Sequence, residues 1–167
     1  MLQKPKQKRS LDRINKILDA SDALLIEGNI SSLSIARVSQ RAELKRTSTY
    51  KFFETPDDIK YALIKRYLER CNTHLKNNIT SSKEAEYSQC LKESVEAIIE
   101  FFKNNPGAQK LILENTVSPP VLSADLHLIA ESILNHVEKS IGLPNMFNKS
   151  GVFLVVTLVI SSCCCCQ

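Results

Sequence analysis

The sequence of 167 residues has no tryptophan, only four glycines, two methionines and an aromatic content of 6%. So little glycine and so few aromatics argue against β-rich and fibrous classes. The 43% of hydrophobic and 24% of charged residues suit instead a globular, all-α chain long enough to bury a core. No Gly-rich phosphate loop follows a strand, no Gly-x-Ser-x-Gly elbow occurs, and serines, histidines and carboxylates are scattered without a nucleophile–base pattern. The sequence therefore predicts neither an enzyme nor a cofactor.

Cysteine is used in no spaced pattern. Cys71 and Cys90 stand alone and Cys163 to Cys166 form an unbroken run, which is neither a disulfide framework nor a CxxC metal pair and agrees with a reducing compartment. His74, His127 and His136 have no i,i+4 partner that would set two ligands on one helical face, so no metal is expected. The basic start, MLQKPKQKR, leads into no apolar run. That excludes a secretory signal, makes the sequons at Asn29, Asn78 and Asn148 chance matches, and predicts a cytoplasmic protein.

Charge is present but unevenly placed. Residues 1 to 70 hold 15 Lys/Arg against 9 Asp/Glu, a balance of +6, whereas residues 71 to 167 hold 7 against 9, a balance of −2. A cationic front half gains from counterion release beside a polyanion, which points its end of the chain toward nucleic acid.

Apolar periodicity divides the chain into helices. Leu11, Ile14, Leu18 and Leu25 predict an amphipathic helix from Ser10, as its N-cap, to Glu27, with Gly28 as the stop. After the loop GNISSLS, Ser34 caps a short helix carrying Ile35, Val38 and Ala42. Thr55, Pro56, Asp57 and Asp58 read as an N-cap, a first helical position and two acids at the positive helix end. They open a long helix with Ile59, Leu63, Tyr67, Cys71 and Leu75 on one face. Leu91 to Phe102 form a fifth helix ending at Asn104-Asn105-Pro106-Gly107, AQKLILEN a sixth, and Leu122 to Val137 a seventh ending near Gly142.

Between the second and fourth helices lies KRTSTYKFF, residues 45 to 53, basic and hydroxyl-rich at its front and apolar at its end. A short apolar-faced helix, a tight break and a second short helix are the parts of a helix-turn-helix, whose second helix enters the major groove. The front of the segment must face phosphates and base edges. Phe52 and Phe53 must anchor it in a core.

The run Val38-Ser39-Gln40-Arg41-Ala42-Glu43-Leu44-Lys45-Arg46-Thr47-Ser48-Thr49-Tyr50-Lys51-Phe52-Phe53 resembles the DNA-binding signature of the TetR/AcrR family of bacterial transcriptional regulators. That signature runs through an Ala-Gly-Val turn and a small-residue stretch to Tyr-x-x-Phe. Glu43 stands where the turn glycine is usual, Thr47 where a second glycine is common, and Pro56 where a phosphate-binding lysine often sits. The resemblance covers about residues 10 to 70 and implies a three-helix DNA-binding domain over residues 1–54 with a basic arm, then a helical ligand-binding and dimerisation domain over 55–167. It implies DNA contacts from Ser34, Lys45, Arg46, Thr47, Ser48, Tyr50 and Lys51, with Ser34 a cap first. A double-stranded operator, a small-molecule inducer and a second copy of the chain are the implied partners, and the implied activity is that of a repressor.

In the back half Tyr87, His127 and Asn135 read as partly exposed helix residues, with polar ligand contacts as the alternative. The tail, GVFLVVTLVISSCCCCQ, is apolar all round. Val152 to Cys166 is too short to span a bilayer, matches no prenylation signal, and occupies the place of the first of the family's two dimer helices. Dimer contacts are expected through residues 122–141 and 150–166, with no membrane partner. The cysteine-rich ending also reads as the mark of a truncated or frameshifted product. The competing function is a membrane-associated or protein-interaction module built on this tail.

Overall fold

The computed structural model describes residues 5–78 and 87–116, together with Glu131. Their regular elements are all helical: α1 (Pro5–Glu27), a short 3-10 turn (Ile30–Ser32), α2 (Ile35–Arg41), α3 (Arg46–Thr49), α4 (Pro56–Asn78), α5 (Tyr87–Asn104) and α6 (Pro106–Thr116). The chain forms two compact units, Met1–Ile64 and Lys65–Gln167.

In the first unit, α1 begins five residues earlier than the cap reading of Ser10 predicts. Pro5 is the reason: its fixed φ and missing N–H suit the first helical position, and the Lys, Gln and Arg that follow are good helix formers. Ser10 thus lies inside the helix. The other end is where the sequence places it, with Gly28 N donating to Leu24 O at 3.0 Å. A Cβ at Gly28 would sit 3.3 Å from both Leu24 O and Ser32 Oγ, so the glycine lets the next turn fold back closely. Ser32 Oγ uses that approach to donate to Leu24 O at 3.2 Å.

The core of this unit takes Ile17, Leu18, Leu24 and Leu25 from α1, Leu33 from the loop, Ile35 and Val38 from α2, Phe53, and Ile59, Leu63 and Ile64 from α4, all buried. Phe52 is only half-buried, so one of the two expected phenylalanine anchors carries most of that role. The i,i+4 reading of α4 holds along its length, since Ile59, Leu63, Tyr67, Cys71 and Leu75 are all at most 1% exposed. Burial pushes the Cys71 thiol up from its ordinary value of 9.0 to about 12.

The start of α4 follows the sequence reading closely. Asp58 N donates to Thr55 Oγ1 at 3.2 Å, and Thr55 N donates to Asp58 Oδ2 at 2.8 Å, a reciprocal capping box with Pro56 in the first helical position. Glu54 N adds a third bond to the same carboxylate oxygen at 3.1 Å. Backbone and side-chain hydrogen bonds from Thr55, with the Glu54 N–H, hold the Asp58 carboxyl below its ordinary value of 3.8.

In the second unit, α5 buries Ser94, Ala97, Ile98, Phe101 and Phe102, and α6 buries Ala108 and Leu111. The break between them is one residue, Asn105, rather than the four expected. Gln109 N donates to Asn105 O at 3.1 Å, and Pro106 again takes the first helical position. The expected helix over 122–142, the tail, His127, Asn135 and His136 lie outside the described residues, as does the side chain of Tyr87.

Candidate nucleic-acid interface

Helices α2 and α3 pack on each other within the first unit, and a helix of four residues has too few internal bonds to persist unaided. Three local devices hold it. The first is the cap on α2, where Arg37 N donates to Ser34 Oγ at 3.3 Å, the role given to Ser34 first. The second is the turn after α2. Leu44 N donates to Ser39 O at 2.9 Å and Glu43 N to Gln40 O at 3.2 Å, the bond pair of a Schellman motif. That motif needs a left-handed residue, and Glu43 supplies it with φ 56°. The turn where glycine is usual therefore keeps its geometry, at a steric cost of about 1 kcal/mol.

The third device is a buried pair of hydroxyls. Ser39 Oγ lies 2.6 Å from Ile35 O and 2.8 Å from Thr49 Oγ1, and both side chains are at most 1% exposed. Ser39 has one proton, so when it serves the Ile35 carbonyl the Thr49 hydroxyl donates in return. This pair ties the two helices together through their interior. The uniform polarity of residues 45 to 51 hid it, because a threonine among lysines and serines reads as another surface hydroxyl. Its one signal is position, since Thr49 lies four residues before Phe53 on the inward face.

The remaining residues of the segment face outward. Lys45, Arg46, Thr47 and Lys51 are exposed, Ser48 is half-buried, and Tyr50 is 53% exposed. Lys45 occupies the N-cap position of α3 with extended backbone (φ −66°, ψ 139°) and no side-chain cap bond. Beyond Thr49, Phe53 N donates to Thr49 O at 3.0 Å, so one further turn carries the chain into its buried phenylalanine. Six of the seven predicted contact residues are thus brought onto one short segment. Ser34 stands apart, at the start of α2. Arg41, in the last turn of α2, is paired with Glu27 of α1 and ties these two helices at the surface. The exposed cations and hydroxyls match phosphate oxygens, and Arg46 has the fork geometry suited to guanine O6 and N7.

Among the described residues no three His, Cys, Asp or Glu side chains gather as a metal site, and no helix is long and apolar enough to cross a membrane. No protein-family model matches the chain. Solved structures do. A TetR-family transcriptional regulator from Streptomyces coelicolor superposes with a TM-score of 0.66 at 23% identity, over 90% of this chain and 81% of that one. A TetR transcriptional regulator from Rhodococcus sp. RHA1 gives 0.62 at 16% identity, over 96% and 85%. The fatty acid degradation regulator FadR from Bacillus halodurans gives 0.64 at 13% identity, over 98% and 84%. These similarities give the membrane-module alternative no support. A chain whose described elements are all helical, with a short second helix, a left-handed turn and a brief third helix in its first unit, superposing over nine-tenths of its length on such proteins, has the TetR-type regulator fold.

Proposed function

We propose that the chain is a sequence-specific DNA-binding transcriptional regulator, a repressor that acts as a homodimer and is released from its operator by a small-molecule inducer. The observation that carries this reading is the outward display of Lys45, Arg46, Thr47, Tyr50 and Lys51 on a segment fixed from beneath by the Ser39–Thr49 pair. Arg46 reads base edges. Lys45, Thr47, Ser48, Tyr50 and Lys51 bind phosphates and set register, as backbone contacts do. The Ser34 hydroxyl caps α2 and leaves its second lone pair and the nearby helix N-terminus for a phosphate.

On this reading residues 1–54 are the DNA-binding part, and 55–167 serve ligand binding and dimerisation through 122–141 and 150–166. The inducer acts by differential affinity: it binds more tightly to the conformation whose recognition helices no longer match two half-sites. Titration of a duplex recovered by genomic footprinting tests the DNA contacts. Arg46→Ala should cost about 1–3 kcal/mol at the specific site and relax one base position. Lys51→Ala should weaken all sequences alike and reduce the salt slope by about one. Two folded variants that bind as the unsubstituted protein does would remove this segment from the interface.

A further inference from the structure

In the second unit α4 and α5 leave an open groove of about 480 Å3 between them, within the range of small-ligand sites. From α4 come Arg66, Arg70 and His74, at four-residue intervals and therefore on one helical face. Phe101 of α5 forms the facing wall, its ring centroid 5.9 Å from that of His74 at an angle of 51°. The lining holds two guanidiniums against one carboxylate among the described residues, that of Glu69.

The tautomer of a neutral His74 ring follows from its neighbour. Asn78 Nδ2 lies 3.1 Å from His74 Nδ1 and 2.8 Å from His74 O. An amide nitrogen only donates, so Nδ1 accepts and the neutral ring carries its proton on Nε2. That Nε2–H is buried and has no hydrogen-bond partner among the described residues. The nearest acid, Glu100 Oε2, is 3.7 Å away on a side chain that is 61% exposed, beyond hydrogen-bond range. A buried donor without an acceptor is a costly state that a ligand oxygen would relieve. Arg70, exposed on the same face, has no ion pair or hydrogen bond among the described residues.

We propose that this groove binds a small organic carboxylate with an aromatic or alkyl body. The carboxylate accepts from His74 Nε2–H and from the Arg70 guanidinium, and the apolar body lies on Phe101. The site goes beyond the DNA-binding reading of the first unit and does not depend on it, so it is tested without DNA. The probes are 4-phenylbutyrate and its uncharged counterpart 4-phenylbutyramide, followed through the His74 ring and Phe101 ring resonances of the full chain by NMR. The acid should shift both sets of signals saturably. The amide should bind about tenfold more weakly or worse, because a charge-assisted pair is lost. Arg70→Gln, a change at an exposed helical position, should weaken the acid by a similar factor and leave the amide unchanged. Equal binding of acid and amide, unchanged affinity in Arg70→Gln, or signals at His74 and Phe101 that do not move would each overturn the site.

Discussion

Helices α3 (Arg46–Thr49) and α4 (Pro56–Asn78) follow one another in the chain and are stabilised in opposite ways. In α4, 23 residues present a continuous buried face, and its entrance is closed by a capping box. Such a helix is held by apolar area and tolerates any polar residue on its outer side. In α3, four residues include one buried side chain, Thr49, and the segment is held by a hydroxyl pair, a Schellman turn and the phenylalanine beyond it. A surface proposed to meet phosphates cannot also be a hydrophobic face. Its fixation therefore moves to polar contacts beneath it and to the ends.

This contrast is open to direct attack, most severely at α4. Ile59→Ala should destabilise the fold by about 2–5 kcal/mol in chemical denaturation, because Ile59 is fully buried and its removal leaves a cavity. A loss under about 1 kcal/mol would mean that the apolar face does not carry this region. Thr49→Val comes next. It keeps the shape and removes the hydroxyl, so it should cost about 1–2 kcal/mol and also lower DNA affinity. Combined with Ser39→Ala, it should show coupling of about 0.5 kcal/mol or more, and strict additivity would dissolve the proposed link between α2 and α3.

Glu43→Gly should stabilise the protein by about 1 kcal/mol, since glycine adopts the left-handed backbone without steric penalty. A destabilised variant would show that the Glu43 side chain contributes more than its backbone strain costs. The smallest expected effect is acid sensitivity at the α4 cap. Asp58 has a lowered folded-state pKa, so its contribution is complete above the unfolded value and is lost as pH falls through the folded one. Asp58→Asn should therefore flatten the stability profile below about pH 4, and an unchanged profile would place the acid sensitivity elsewhere.

The same contrast explains what could be read in the sequence. The α4 face was legible as five residues at i,i+4, and its cap as Thr55-Pro56-Asp57-Asp58, because burial and capping are written locally in residue type and spacing. The helix-turn-helix was legible as a pattern of polarity, and Glu43 as a non-glycine in a glycine place. The Ser39–Thr49 bond was not legible, because it joins residues ten apart whose types serve equally well on a surface. Nor was the start of α1 legible, where Ser10 offered a good cap and Pro5 an equally good first position. The surroundings of His74 Nε2 depend on α5 bringing Phe101 to within 5.9 Å of the His74 ring, which no local spacing encodes.

The central claim is that the outward residues of the 45–51 segment bind DNA, with Arg46 reading base edges, while the buried Ser39 and Thr49 only hold the segment in place. In-vitro selection from random duplexes tests it most directly, with the unsubstituted chain run beside an Arg46→Ala/Lys51→Ala variant verified as folded by its unfolding transition. The account predicts that the unsubstituted chain enriches a motif of two related half-sites and that the double variant enriches none at the same salt concentration. Recovery of the same motif by both proteins, or of no motif by either, would contradict it.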